Sequence, residues 1–242
     1  MLFEEYSRHI SRAIEEIGRE QADRLLAAAR LAADTIEKDG IIYIFGCGHS
    51  GILSCEGFYR AGGLACVAPV FCEPIMLHEG AAESSRLEKL SGYAERLKAM
   101  YKLESRDMMF VVSTSDKNAV PVEYADYVNS LGIPTVAICS SAYFDQQVHN
   151  ACSKHLHEVC SMYIDNRAPF GDACLNPGGE LSMTPLSTIT GVYILNSVLA
   201  EATRIALERG VDVPVYCSGN IPGGAEKNKA LIERFQKRIP HL

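Results

Sequence analysis

The chain has 242 residues, of which 48% are hydrophobic and 22% are charged, so it has enough apolar material for one sizeable core and we expect one domain. Its formal net charge of -7 argues against a nucleic-acid partner, because such partners are bound by clustered Lys and Arg. No segment has the apolar length of a membrane span, so we expect no membrane partner and a cytoplasmic location.

The nine cysteines do not form a disulfide pattern. Their number is odd, no pair has the CxxC spacing, and several lie in apolar segments such as residues 64–67 and 136–139. We therefore interpret them as small hydrophobic residues of a protein in a reducing compartment.

The first 39 residues predict a long amphipathic helix or a pair of helices, because apolar residues recur every three or four positions. These residues are Phe3, Tyr6, Ile10, Ile14, Ile17, Leu25, Ala28, Ala32 and Ile36. Lys38-Asp39-Gly40 ends the helical pattern. Residues 41–45 then form a continuous apolar run, which is typical of a strand covered on both faces.

Strands and helices alternate over the following hundred or so residues, which predicts a parallel sheet. Further strands are predicted at residues 64–68, 108–112, 134–139 and 158–164, and helices within residues 51–61, 91–102 and 118–131.

A long helix is predicted after an irregular stretch at residues 168–180. Thr184 and Pro185 suit the N-cap and the first position of a helix that runs to about Arg209. This helix is apolar nearly all round, so it is either central or covered by another subunit.

We divide the single domain into an N-terminal helical segment (residues 1–39), an α/β core (40–210) and a C-terminal tail (211–242). The basic residues of the tail are interleaved with acidic ones, which is typical of a solvent-exposed helix face. They are Lys227, Lys229, Arg234, Lys237 and Arg238.

A glycine-rich loop, Gly46-Cys47-Gly48-His49-Ser50-Gly51, follows the first predicted strand and leads into a predicted helix. Backbone N–H groups at the start of a helix attract anions, and glycine permits a ligand to approach closely. Gly46, Gly48, His49 and Ser50 are therefore candidate phosphate ligands.

The same spacing fits the GxGxxG motif of dinucleotide-binding proteins. Those proteins carry an acidic residue about 20 positions later, whereas here the corresponding segment is Cys66-Val67-Ala68-Pro69. They also commonly begin with the strand, and here residues 1–39 come first. We therefore expect neither NAD nor another cofactor.

A serine-rich loop, Ser113-Thr114-Ser115-Asp116-Lys117-Asn118, follows the third predicted strand. Hydroxyl groups at a helix N-terminus are common ligands of a phosphate monoester, and Lys117 adds positive charge. Ser113, Thr114, Ser115 and Asn118 are candidate phosphate ligands, although an ordinary N-cap with spare serines would give the same local pattern. In a sheet ordered 2-1-3-4-5, the first and third strands are neighbours, and ligands bind in the crevice between their loops.

These features resemble the sugar isomerase (SIS) domain family, in which Gly46, Gly48, Ser50, Ser113 and Ser115 stand at matching positions. The serine-rich loop is most similar to that of phosphoheptose isomerases. Three other segments are similar to an uncharacterised subgroup that carries the phosphoheptose isomerase name, at residues 58–63, 76–80 and 118–123. The resemblance implies an α/β fold with a flavodoxin-like, doubly wound, five-stranded parallel sheet, a phosphosugar ligand, and a homodimer or homotetramer with shared active sites.

The chain departs from the family pattern at two places. Asp116 and Asn118 stand where many relatives have glycine followed by Ser or Thr, and a carboxylate beside a phosphate is unfavourable unless it points away or pairs with Lys117. The last long helix lacks the histidine of phosphoheptose isomerases, and its nearest polar substitutes are Tyr193 and Asn196.

Aldose–ketose isomerisation needs a base beside the carbonyl and an acid that moves a proton between two oxygens. In the loop after the second predicted strand, we interpret Glu79 as the base and His78 as its partner. Glu56, in the helix after the glycine loop, is a further catalytic candidate. The competing interpretation places these side chains in solvent or at a helix cap.

His155 and His157 alternate at strand spacing and resemble a pair of metal ligands. The sequence offers no third ligand nearby. We therefore interpret them as the polar start of the fifth strand and predict no metal.

The residues are compatible with three functions. The first is an isomerase of a sugar phosphate. The second is a lyase or etherase acting on an amino-sugar phosphate, which the missing helix histidine favours slightly. The third is a phosphosugar-sensing module without turnover, and the absence of a recognisable DNA-binding segment in this sequence favours catalysis over sensing.

Overall fold

The computed structural model describes residues 1–242 and has one five-stranded parallel sheet, in the order β2-β1-β3-β4-β5. The strands are β1 (Ile42–Gly46), β2 (Val67–Val70), β3 (Met108–Val112), β4 (Thr135–Cys139) and β5 (Met162–Asp165). The predicted flavodoxin-like class is confirmed. β1 and β3 pair from Ile42 with Met108 to Gly46 with Val112, so the two candidate loops leave the sheet side by side.

Nine helices flank the sheet. They are α1 (Leu2–Glu20), α2 (Ala22–Glu37), α3 (Ile52–Gly57), α4 (Ala81–Leu87), α5 (Glu95–Lys98), α6 (Ala119–Ser130), α7 (Leu156–Val159), α8 (Ser187–Glu208) and α9 (Gly224–Phe235). The N-terminal segment is a helix pair that breaks at Gln21.

The apolar surface of α8 is explained within one chain, because α8 packs against α1, α2 and α3. α2 presents a face of small buried residues, including Ala28, Ala32 and Ala33. Small side chains allow two helices to approach closely. The hydrophobic core comprises 54 buried residues, which come from the sheet, the flanking helices and the C-terminal tail.

The sequence placed two strands too early. Leu64 and Ala65 belong to the predicted second strand but pair with the C-terminal tail, where the Ala65 N–H donates to the Pro214 carbonyl, and β2 begins only at Val67. Residues 158–161 were predicted as strand, but α7 and the turn after it occupy this segment. Leu156 and Val159 are buried at helical spacing, and a short apolar run does not distinguish a strand from a turn of helix.

The predicted N-cap of α8 is also wrong. Thr184 has a left-handed backbone (φ 70°), and α8 begins three residues later, at Ser187. The Asp172 carboxylate takes over the capping role, because its Oδ1 accepts hydrogen bonds from the Leu186 and Ser187 N–H groups at 3.0 and 2.9 Å.

The basic residues of the tail are not all solvent-exposed. Arg238 is only 17% exposed and donates to both oxygens of the buried Asp107 carboxylate, at 3.0 and 2.7 Å. Asp107 also accepts a hydrogen bond from the Ile41 N–H at 2.8 Å. The ion pair therefore ties the tail to the segments just before β1 and β3.

All nine cysteines are free. Five of them are buried, which agrees with the interpretation as small hydrophobic residues, whereas three are half-buried and Cys55 is exposed. None of the helices combines the length and the apolar character needed to cross a bilayer.

Candidate functional site

A cavity of about 280 Å³ lies at the carboxyl edge of the sheet, where β1 and β3 end. Both candidate loops line it, and they contribute Gly48, His49, Ser50, Ser113, Thr114, Ser115 and Asn118. In an open α/β sheet this crevice between oppositely directed connections is the usual ligand site.

The first loop makes a tight turn directly after β1. Gly46 lies under the turn and does not line the cavity, whereas Gly48 lines it with a left-handed backbone (φ 55°). His49 is exposed and Ser50 half-buried. A 3-10 turn from Gly48 to Gly51 leads into α3, so the start of this helical segment faces the cavity.

Gly46→Ala is expected to lower the free energy of unfolding by about 1–3 kcal/mol. A Cβ at this position would lie 2.6 Å from the backbone carbon of Ser50 and 2.7 Å from its oxygen, so the turn would have to move. Urea unfolding measures the change. Gly219→Ala is the control, because its Cβ meets no atom within 4 Å and we expect a change below about 0.5 kcal/mol. Equal losses in both variants would contradict this packing argument.

The second loop is held by hydrogen bonds to the loops after β4 and β5. The Ser140 N–H donates to the Thr114 carbonyl at 3.2 Å, and Asn166 Nδ2 donates to Thr114 Oγ1 at 3.2 Å. The hydroxyl oxygens of Ser113 and Ser115 lie 3.5 Å apart. Ser140 and Asn166, which are almost completely buried, therefore support the loop from behind and do not line the cavity.

Glu88 is a cavity residue that no pattern in the sequence indicated. It follows α4, is half-buried, and its Oε1 accepts a hydrogen bond from Asn118 Nδ2 at 2.8 Å. Burial raises the pKa of the Glu88 carboxyl, and the positive charge of Lys89 opposes that rise in part. A carboxyl group with a raised pKa in a cleft is a candidate acid–base group.

The rest of the cavity wall is rich in hydroxyl groups and contains neither Lys nor Arg. Hydroxyls, backbone N–H groups and helix N-termini would therefore meet an anion bound there. The remaining lining residues are Cys47, Leu77, Ala81, Ser84, Ser85, Val112, Pro121, Tyr143, Asp172 and Ser187. The Asp172 carboxylate is already engaged at the N-terminus of α8.

The three predicted catalytic side chains lie outside this cavity. His78 Nε2 is 3.4 Å from Glu79 Oε1, so these two are neighbours, but their side chains are 65% and 47% exposed. Glu56 forms an ion pair with Arg60 and accepts a hydrogen bond from Asn196 Nδ2 at 3.5 Å. Their catalytic roles stay predictions.

Asp116 does not face the cavity. Its side chain is fully buried and turned towards His157. The carboxylate therefore points away from the hydroxyl groups of the serine-rich loop that line the cavity. Burial raises the pKa of Asp116, and the hydrogen bonds from His157 oppose that rise.

Lys117 lines a neighbouring surface pocket together with Lys89.

The sheet order and the position of the cavity define a doubly wound α/β protein with a crevice at the strand reversal, where proteins of this class commonly bind ligands. The chain belongs to the SIS domain family, whose model matches residues 5–140. It is 40% identical over 243 residues to a UPF0309 protein of Geobacillus thermodenitrificans (strain NG80-2), covering 100% of this chain and 98% of that protein. It is 41% identical over 233 residues to UPF0309 protein lin2794 of Listeria innocua, covering 96% and 94% of the two chains.

The fold is similar to that of a solved structure, phosphoheptose isomerase GmhA from Neisseria gonorrhoeae. The TM-score is 0.51 at 16% identity, with 85% of this chain and 98% of that chain covered. At this identity the likeness establishes the fold alone.

Proposed function

We propose that the cavity between the two loops binds a phosphorylated sugar and that the protein interconverts its aldose and ketose forms. The observation that carries the proposal is one cavity that combines a set of hydroxyl and N–H donors with a half-buried carboxylate of raised pKa. Membership of the SIS family and a fold shared with a phosphoheptose isomerase support it.

The phosphate is proposed to lie against the side chains of Ser113 and Ser115 and the backbone of the glycine loop. The start of α6 points to the same place, because its N-cap residue Asn118 lines the cavity and makes no capping hydrogen bond with its side chain. Since no Lys or Arg lines the cavity, these neutral donors and helix dipoles supply the stabilisation of the dianion.

Glu88 is proposed as the base that removes the proton next to the carbonyl and returns it to the adjacent carbon. The hydrogen bond from Asn118 orients its carboxylate and leaves the second oxygen for the substrate. His49 lines the same cavity and is proposed to move a proton between the two substrate oxygens. Glu79 with His78, and Glu56, remain competing proposals for the base. A homodimer or homotetramer in which the partner completes the site is proposed as well.

A thermal-shift panel of hexose, heptose and amino-sugar phosphates tests the binding part. We expect a phosphorylated sugar at a hundredfold excess over its dissociation constant to add about 2.7 kcal/mol to the apparent stability. The unphosphorylated counterparts should leave the melting temperature unchanged. A panel in which no phosphorylated sugar shifts the melting temperature would remove the proposal.

The ligands that bind are then incubated with the protein and followed by NMR. New ketose or aldose resonances support isomerisation. Release of lactate from a muramyl phosphate identifies an etherase instead, and binding without any product identifies a sensing module.

A further inference from the structure

A cluster of one carboxylate and two imidazoles lies directly behind the serine-rich loop. Asp116 Oδ2 is 2.5 Å from His157 Nδ1 and 3.1 Å from His155 Nδ1. The three potential ligand atoms all lie within 4.8 Å of one another. None of the three residues lines the cavity between the glycine and serine loops.

The three side chains are held in place from several sides. The Asp116 side chain is fully buried, and those of His155 and His157 are 11% and 19% exposed. The His157 ring stacks on Phe144 with ring centroids 3.8 Å apart, and the His157 N–H donates to Asp116 Oδ1 at 3.0 Å. Their ligand atoms are therefore preorganised, which lowers the cost of binding.

His155 Nδ1 indicates that the cluster lacks a component. This atom is buried, points at Asp116, and makes no hydrogen bond of acceptable geometry. A buried polar atom without a partner is costly, and a cation bound between the three side chains would satisfy it.

The ligand types decide the class of cation. Two imidazole nitrogens and one carboxylate oxygen suit Zn²⁺ or another late divalent transition metal, whereas Mg²⁺ and Ca²⁺ prefer oxygen ligands. With metal–ligand bonds of about 2.0–2.2 Å, ligand atoms around a tetrahedral zinc lie about 3.3–3.6 Å apart. The 3.1 Å separation is close to this range, the 2.5 Å separation must lengthen by a ring movement, and the two imidazole nitrogens lie within 4.8 Å of each other.

We propose that Asp116, His155 and His157 form a Zn²⁺ site that links the serine-rich loop to the connection between β4 and β5. The Leu156 N–H already donates to the Asp116 carbonyl at 2.7 Å, so the two segments are in contact. Zinc would fix Asp116 and, through it, the adjacent Ser115. Zn²⁺ binding by this cluster does not depend on the proposed function. Only a gain in sugar-phosphate affinity on Zn²⁺ binding would rest on that function.

The test uses the full chain stripped of metal with a chelator, titrated with Zn²⁺ against a competing indicator. We expect one Zn²⁺ per chain and a rise in melting temperature, with no rise from Mg²⁺. Loss of an outer-shell partner alone weakens metal binding by about 10–100-fold, so Asp116→Asn, which removes the only charged ligand, should weaken it by about a hundredfold. This variant keeps an acceptor for the His157 N–H, and Asn tolerates the left-handed backbone at this position (φ 61°), so the fold should persist. His9→Gln changes a half-buried histidine on α1, outside the cluster, and serves as the control.

Co²⁺ provides a second measurement that needs no variant. Binding at this site should give visible d–d bands without the near-ultraviolet charge transfer of cysteine thiolates. Undetectable Zn²⁺ binding by the wild type, equal affinities of wild type and Asp116→Asn, or a thiolate spectrum would each overturn the proposal. In those cases the cluster is a hydrogen-bonded clamp between the two loops.

Discussion

Replacing Glu88 by glutamine is expected to reduce turnover of the sugar phosphate by about 10²–10⁴-fold, while its binding changes only a few fold. Glutamine retains the oxygen that accepts the hydrogen bond from Asn118 Nδ2, so the cavity keeps its shape. It cannot accept the substrate proton. Steady-state kinetics should therefore show the loss in kcat rather than in KM, and thermal shift should show that the ligand still binds.

The pH dependence of kcat/KM of the wild type should report the ionisation of Glu88. Because burial raises the pKa of Glu88 above its ordinary value of 4.5, the carboxylate becomes available as a base only at correspondingly higher pH. We expect kcat/KM to rise with pH through this raised value and to level off above it. A profile that is already flat just above the pKa of an ordinary carboxyl group would exclude Glu88 as the base.

The stability of Glu88→Gln should rise near neutral pH, although its activity falls. The folded-state pKa of Glu88 lies above the unfolded one, so the folded chain binds more protons between the two values, and the wild type loses stability as pH rises through that interval. Glu88→Gln does not titrate. Its free energy of unfolding should exceed that of the wild type near neutral pH and approach it at acidic pH.

Glu79→Gln is the matched comparison, because Glu79 is an exposed glutamate outside the cavity. If Glu79→Gln lost turnover and Glu88→Gln kept it, the base would be Glu79, as the sequence suggested, and the role proposed for Glu88 would be wrong. Retention of full turnover by Glu79→Gln would remove Glu79 as the base.

The double variant Ser113→Ala with Ser115→Ala is expected to lose most of the stabilisation that phosphorylated sugars confer on the wild type, up to about 2.7 kcal/mol at a hundredfold excess over the wild-type dissociation constant. Both hydroxyls lie at the cavity, and their oxygens are 3.5 Å apart, so they can contact one phosphate. Each removed hydrogen bond to a charged group costs about 1.5–3 kcal/mol. Thermal shift with and without ligand measures the loss.

Ser130→Ala is the control for this experiment, because Ser130 is an exposed serine at the opposite end of α6. Its response to ligand should equal that of the wild type. An unchanged response in the double variant would mean that the serine-rich loop is not the phosphate anchor.

Much of the fold followed from local patterns. β1, β3 and β4 were predicted within one residue at each end, because a buried parallel strand needs apolar side chains on both faces and leaves a continuous run in the sequence. Seven of the eight candidate ligands in the two loops also line one cavity. This followed because parallel strands end at one edge of the sheet, and neighbouring strands bring their loops together.

The sequence alone thus determined the order of the five strands along the chain, the N-terminal helical segment and the parallel class of sheet, since these depend on short-range periodicity, but it did not indicate α4 or α7. The meeting of the glycine and serine loops followed from the expected 2-1-3-4-5 order of that sheet. Only the tertiary structure decided that Asn118 meets Glu88, thirty residues earlier, and that Asp116 meets His157, 41 residues later. It also decided that Glu56, His78 and Glu79 lie away from the cavity. Hydrophobic periodicity indicates which face of an element is buried, but the paths of the connecting loops decide which polar side chains meet, and those paths leave no periodic signal.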